Sequence, residues 1–139
     1  GLSADDLQVV GQLFRKAAFR GSAVLLITHD LFTASKMADR IAVMDGGTLV
    51  EVAPVRDFAG QGERLRHPYS RTLWQALPQN GFAPVSGNLL VQTTPTEATA
   101  EEKGCPYFTL CSFGTGKCRR VRPMWQSARG GMVRCVHAT

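Results

Sequence analysis

Cys105, Cys111, Cys118 and Cys135 are the residues best equipped for chemistry in this 139-residue sequence, and it has no other cysteines. Their spacing is C-x5-C-x6-C-x16-C. Four thiolates can close a tetrahedral shell around zinc or bind the irons of a [4Fe–4S] cluster. Structural zinc sites usually draw on paired C-x2-4-C knuckles, and no such pair occurs here. The wide spacing suits a bulkier cluster whose thiolates come from separated points on a loop, so a [4Fe–4S] site is expected and Zn2+ is the alternative. Disulfides or free thiols are the further alternative, and disulfides rank low because a reducing compartment is expected. Between Glu101 and Thr139 seven Lys/Arg face two acids, which is the whole of the chain's net charge of +5. Arg119, Arg120, Arg122 and Arg134 could balance the charge of an anionic cluster. His137 reads as a bystander. Tyr107, Phe108, Phe113 and Trp125 are not spaced as a base-stacking platform, so no nucleic-acid partner is expected.

His29 is the second candidate. It follows the apolar run Ala23-Val24-Leu25-Leu26-Ile27 and Thr28, so it stands where a buried strand would end. Ligands of open α/β sheets bind at the carboxyl ends of strands. A histidine there also commonly serves only to bond a nearby carbonyl. Gly116-Lys117-Cys118 is not a phosphate-binding loop, since Cys111 stands in place of the loop's first glycine and Cys118 in place of the magnesium-binding Ser/Thr.

The elements that must hold these residues follow from periodicity. Leu7, Val10, Leu13, Phe14 and Ala17 recur at helical spacing, with Ser3 and Asp6 available as caps. Gly21-Ser22 ends that helix, and Ala23 to Ile27 is expected as a strand buried on both faces. A helix over Leu31–Ala38 is followed by strands at Ile41–Met44 and Thr48–Val52, joined by an Asp45-Gly46-Gly47 turn. Pro54 closes this block. A helical turn at Val55–Ala59 and a short helix at Ser70–Leu77, stopped by Pro78, come next, with Tyr69 and Trp74 assigned to packing. Residues 79–103 turn to Gly, Pro, Thr, Ser and Asn and read as a linker, with one short strand at Leu89–Val91. The fold class is α/β, ending in a small irregular cysteine-rich tail. The expected divisions are 1–53, 54–78, 79–103 and 104–139. No apolar run approaches the roughly 20 residues of a membrane span. Asp5 and Asp6 stand where a signal peptide would be basic, so a cytoplasmic location is expected.

Leu25-Leu26-Ile27-Thr28-His29-Asp30, followed by the run Ala38 to Glu51, resembles the switch-histidine region of ABC ATPases in order, spacing and polar pattern. Ser3-Ala4-Asp5-Asp6 resembles their D-loop, with Asp5 where Leu is usual. His67-Pro68-Tyr69-Ser70-Arg71-Thr72-Leu73 resembles a C-terminal extension found in oligopeptide, dipeptide and nickel importers. The resemblance implies the C-terminal part of an ABC nucleotide-binding domain. His29 would contact the γ-phosphate, Ser3 would lie near nucleotide, and Asp6 would communicate across an ATPase dimer. It implies ATP and Mg2+ as ligands of the intact subunit, and a second ATP-binding subunit and membrane permease subunits as partners, with a solute-binding protein acting indirectly. The subunit would sit peripherally on the inner face of the membrane. Some importers of this type carry a similar cysteine tail holding a [4Fe–4S] cluster. The Walker and signature motifs are not present, so hydrolysis by this chain alone is not expected. A stand-alone zinc- or cluster-binding module is the alternative.

Overall fold

A computed structural model describes residues 4–81 and 104–138. Ser3 and the expected strand at Leu89–Val91 lie outside the described residues. The chain divides into two compact units, Gly1–Asp39 and Arg40–Thr139. None of the described helices is long and apolar enough to cross a membrane.

In the first unit, α1 spans Ala4–Phe19 and α2 spans Leu31–Met37. Leu7, Val10, Phe14 and Ala17 are the half-buried face of α1, as their helical spacing requires. Gly11 brings that face against the Met37 side chain of α2. Helix α1 ends where Gly21 turns left-handed at φ +88°. There Gly21 N–H donates to Ala18 O and Ser22 N–H to Ala17 O, which satisfies the last carbonyls. Asp30 caps α2, its carboxylate accepting from Thr33 N–H at 3.1 Å and from the Thr33 hydroxyl. Those bonds hold its pKa below the usual carboxylate value.

The expected buried strand at Ala23–Ile27 is not formed. The segment carries no ladder, and Leu25 and Ile27 are 86% and 87% exposed. An apolar run becomes a buried strand only when neighbours on both edges take up its amide groups and layers on both faces cover its side chains. None of the described residues pairs with it.

The second unit is built on one antiparallel sheet. Strands β1 (Arg40–Asp45) and β2 (Thr48–Pro54) form a hairpin whose two-residue turn places Gly46 and Gly47 at φ +50° and +71°. Both central residues have positive φ, the type I′ geometry that matches strand twist and that Gly-Gly adopts without strain. The pairing shifts register between Val43 and Met44, leaving Val50 as the extra residue of a bulge. Ile41 and Val43 are buried while Ala42 and Met44 face out. After a helical turn at Val55–Asp57, helix α3 runs over Pro68–Gln75, starting two residues earlier than expected because Pro68 suits the first helical position. Trp74 is buried edge-on against Phe58 and donates its indole N–H to Gly60 O at 3.0 Å.

The tail is more regular than expected. Helix α4 spans Gly116–Arg120, and strands β3 (Gln126–Ala128) and β4 (Gly131–Val133) form a second hairpin. Its turn residues Arg129 and Gly130 have φ of 42° and 83°. Strand β4 pairs with β2 through Glu51↔Val133 and Val52↔Met132, giving the order β1-β2-β4-β3. The outer edge of the first hairpin is therefore covered by the tail, which removes an exposed strand edge. Pro106 also packs on the first turn, where a Cβ at Gly46 would lie 2.8 Å from the Pro106 ring.

Candidate cysteine site

Four separate local structures present the cysteines. Cys105 follows Gly104, whose lack of a side chain is required: a Cβ there would lie 2.1 Å from Arg119 O. That close approach lets Cys105 N–H donate to Cys118 O at 2.8 Å, joining two of the cysteine-bearing segments. Cys111 ends the turn Phe108–Leu110. Cys118 lies within α4, with its sulfur 3.4 Å from the Thr115 hydroxyl. Cys135 stands two residues beyond β4, so the β2–β4 ladder sets its position.

All four side chains line one cavity, joined there by His67 of the extension and His137 of the tail. The free space inside is about 10 Å3, roughly that of one water molecule. Among the described residues no group of three or more His, Cys, Asp or Glu side chains is arranged to hold a metal ion. The cysteines share a cavity without forming a preassembled ligand set. All four are free thiols.

Burial raises the pKa of Cys105, Cys111 and Cys135, and neighbouring cysteines push in the same direction. Main-chain N–H groups oppose it: Tyr107 acts on Cys105, Phe113 on Cys111 and His137 on Cys135. Each of these amides lies two residues beyond its cysteine, so the chain turns at three of the four thiols to direct an N–H toward sulfur. The His137 N–H lies 3.4 Å from Cys135 Sγ, and its ring Nε2 lies 3.3 Å from Cys118 Sγ. His137 thus touches two of the four sulfurs and is no bystander.

Sequence reasoning missed His67 as part of this site. It is 1% exposed, and burial lowers its pKa to about 4, so the ring is neutral near pH 7. Of the four arginines expected to balance charge, Arg134 lines the cavity, stacked 4.7 Å over the Trp125 ring. Its buried Nε has no hydrogen-bond partner among the described residues. Arg122 instead donates to Gly104 O and to Thr48 Oγ1, bracing the tail on the first hairpin. Arg119 and Arg120 are exposed.

Of the residues expected near nucleotide, His29 is exposed in the first unit, between Thr28 and the Asp30 cap of α2. Thr28 Oγ1 accepts from Asp30 N–H at 3.0 Å, which makes this a tight turn at the start of the helix. Asp6 lies in the first turn of α1.

Residues 50–118 match the family model described as oligopeptide/dipeptide transporter, C-terminal region. The dipeptide transport ATP-binding protein DppD of Bacillus subtilis is 32% identical over 127 residues, covering 88% of this chain and 34% of its own length. The probable D,D-dipeptide transport ATP-binding protein DdpD of Escherichia coli is 32% identical over 116 residues, 84% of this chain and 34% of its own. DppD of Haemophilus influenzae is 31% identical over 135 residues, 96% and 38% respectively. The chain spans about a third of the length of these relatives. They are ATP-binding proteins of transporters, the class that the motifs at residues 25–51 and 67–73 resemble. Within that class the chain belongs to the oligopeptide/dipeptide family of ABC transporter ATP-binding proteins, whose C-terminal region it carries.

Proposed function

We propose that this chain is part of the ATP-binding subunit that drives peptide uptake through an ABC importer. The observation that carries the reading is the family match over residues 50–118, which includes the importer-specific extension beginning at His67. The relatives are named for dipeptide and peptide transport, which favours peptide cargo over nickel chelates. In the intact subunit His29 is assigned to the γ-phosphate of ATP-Mg2+, and Ser3 and Asp6 to the interface with a second ATP-binding subunit. The remaining partners are the permease subunits at the membrane. Uptake of a labelled dipeptide by membrane vesicles carrying the whole transporter tests this. Uptake that depends on ATP supports it, and uptake of nickel chelates without peptide overturns the cargo.

Within the same reading, the four cysteines are assigned to a [4Fe–4S] cluster. Four thiols on one cavity, with amide N–H groups directed at three of them, are the donors that thiolate ligation calls for. The orphaned Arg134 Nε–H suits an anionic group beside it. The cavity has to widen on loading, through the segments that carry Cys105, Cys111 and Cys135. A cluster would supply a covalent cross-link among these segments and α4. Anaerobic reconstitution of the full chain should give iron and sulfide in equal amounts, with visible absorption lost in each single Cys→Ser variant. Stoichiometric zinc without iron would overturn the assignment.

A further inference from the structure

The histidine that opens the importer extension also reaches the cysteine cavity. His67 Nδ1 accepts the Tyr69 N–H at 3.2 Å, capping α3. A ring nitrogen that accepts an N–H carries no proton, so a neutral imidazole here holds its proton on Nε2. Nε2 lies 3.9 Å from Cys105 Sγ. The rest of the residue is fixed from several sides. Its N–H donates to Glu51 Oε2 at 3.1 Å, and its carbonyl accepts from Arg71 N–H. The ring lies tilted against Tyr107, whose hydroxyl is 3.1 Å from Thr72 Oγ1. Turning the ring away from Cys105 would break the helix cap, so the cap fixes both the tautomer and the direction of the free N–H.

We propose that His67 is a positioning residue of the cysteine site, donating its Nε2–H to the Cys105 sulfur and so fixing that side chain and stabilising negative charge on it. For Cys105 itself the inference stands on this geometry alone; for a loaded cluster it rests on the reading given above. A hydrogen bond to a ligating sulfur favours the reduced, more negative cluster. His67 therefore links the element that marks the family to the one that carries the thiols.

The test has two arms on the full chain. In reduced, metal-free protein, imidazole 15N correlations should show His67 protonated at Nε2 and bare at Nδ1. Cys105→Ser should shift the His67 Nε2–H resonance and leave that of His137 in place, whereas Cys118→Ser should do the reverse. A proton on Nδ1, or a His67 signal indifferent to Cys105→Ser, overturns the proposal. In reconstituted protein, His67→Asn keeps a helix cap but loses the donor, and His67→Gln keeps an N–H near the sulfur but loses the cap. The reduction equilibrium should fall about tenfold in His67→Asn, a negative shift of about 59 mV for one electron, with His67→Gln closer to wild type. The opposite ranking means that His67 acts only as a cap and overturns the proposal. Failure of the wild-type chain to take up any cluster sinks the cluster assignment alone, and the imidazole spectra then decide the role of His67.

Discussion

Glu51→Ala is expected to destabilise the second unit by about 3 kcal/mol, although Glu51 lies in a hairpin of ordinary appearance. The side chain is 2% exposed. One carboxylate oxygen accepts Arg66 N–H at 2.7 Å and the other accepts His67 N–H at 3.1 Å. Both donors are main-chain groups of the segment leading into α3, and no side-chain movement can redirect them. Removing the carboxylate strands two amides, each costing about 1–3 kcal/mol when buried without a partner. Water entering the space left by the side chain recovers part of that. Glu51→Gln should cost less, since one oxygen still accepts while its NH2 opposes the second amide. Both tryptophans, Trp74 and Trp125, belong to the second unit, so urea unfolding followed by fluorescence reports on it directly. A loss below about 1 kcal/mol for Glu51→Ala would mean that the two amides find other partners.

The pattern of residues made the first hairpin legible, because Asp45-Gly46-Gly47 between alternating apolar positions has few other solutions. The helix after His67 was legible from Pro68 and from the apolar positions that follow. What could not be read was anything that depended on distant partners. Ala23 to Ile27 has the composition of a buried strand, but composition does not supply the neighbouring strands that make one. Glu51 has the opposite problem: a charged residue in a strand reads as an outward-facing position, and its burial follows only from two amides that lie 15 and 16 residues further along. His67 was legible as a family mark, while its contact with Cys105 spans 38 residues and leaves no local trace. The second hairpin gave little signal, since Arg129 takes φ 42° at a turn position that favours Asn, Asp or Gly, and only Gly130 fits a type I′ turn. For the site, the sequence supplied the four sulfurs and Arg134, and the fold added the imidazoles of His67 and His137.

Gly131→Ala should detach β4 from β2 and carry Cys135 away from the cavity with it. A Cβ at this position would lie 2.0 Å from Val52 O and 3.2 Å from Ala53 Cα, and both atoms are main chain. No rotamer change relieves such a contact, so the strand itself must move. The movement gives up the Val52↔Met132 pairing and the Arg134 N–H to Val50 O bond at 2.8 Å. It also exposes Val133, now 1% exposed, whose burial is worth about 1.5–3 kcal/mol. With roughly 1 kcal/mol for each hydrogen bond lost, the expected cost is about 3–5 kcal/mol. The tail can release while β1, β2 and α3 stay folded, so the loss is best read locally. Hydrogen exchange at Arg134 N–H should quicken at least about a hundredfold in the variant, since each 1.4 kcal/mol of opening energy is a factor of ten. Exchange within β1 should change far less. Gly116→Ala is the matched control, because a Cβ there meets nothing within 4 Å. If the cysteines act together, Gly131→Ala also loses iron on reconstitution while Gly116→Ala keeps it. Unchanged protection at Arg134 in Gly131→Ala would show that β2 and β4 part without cost, and Cys135 would then owe its position to something other than the sheet.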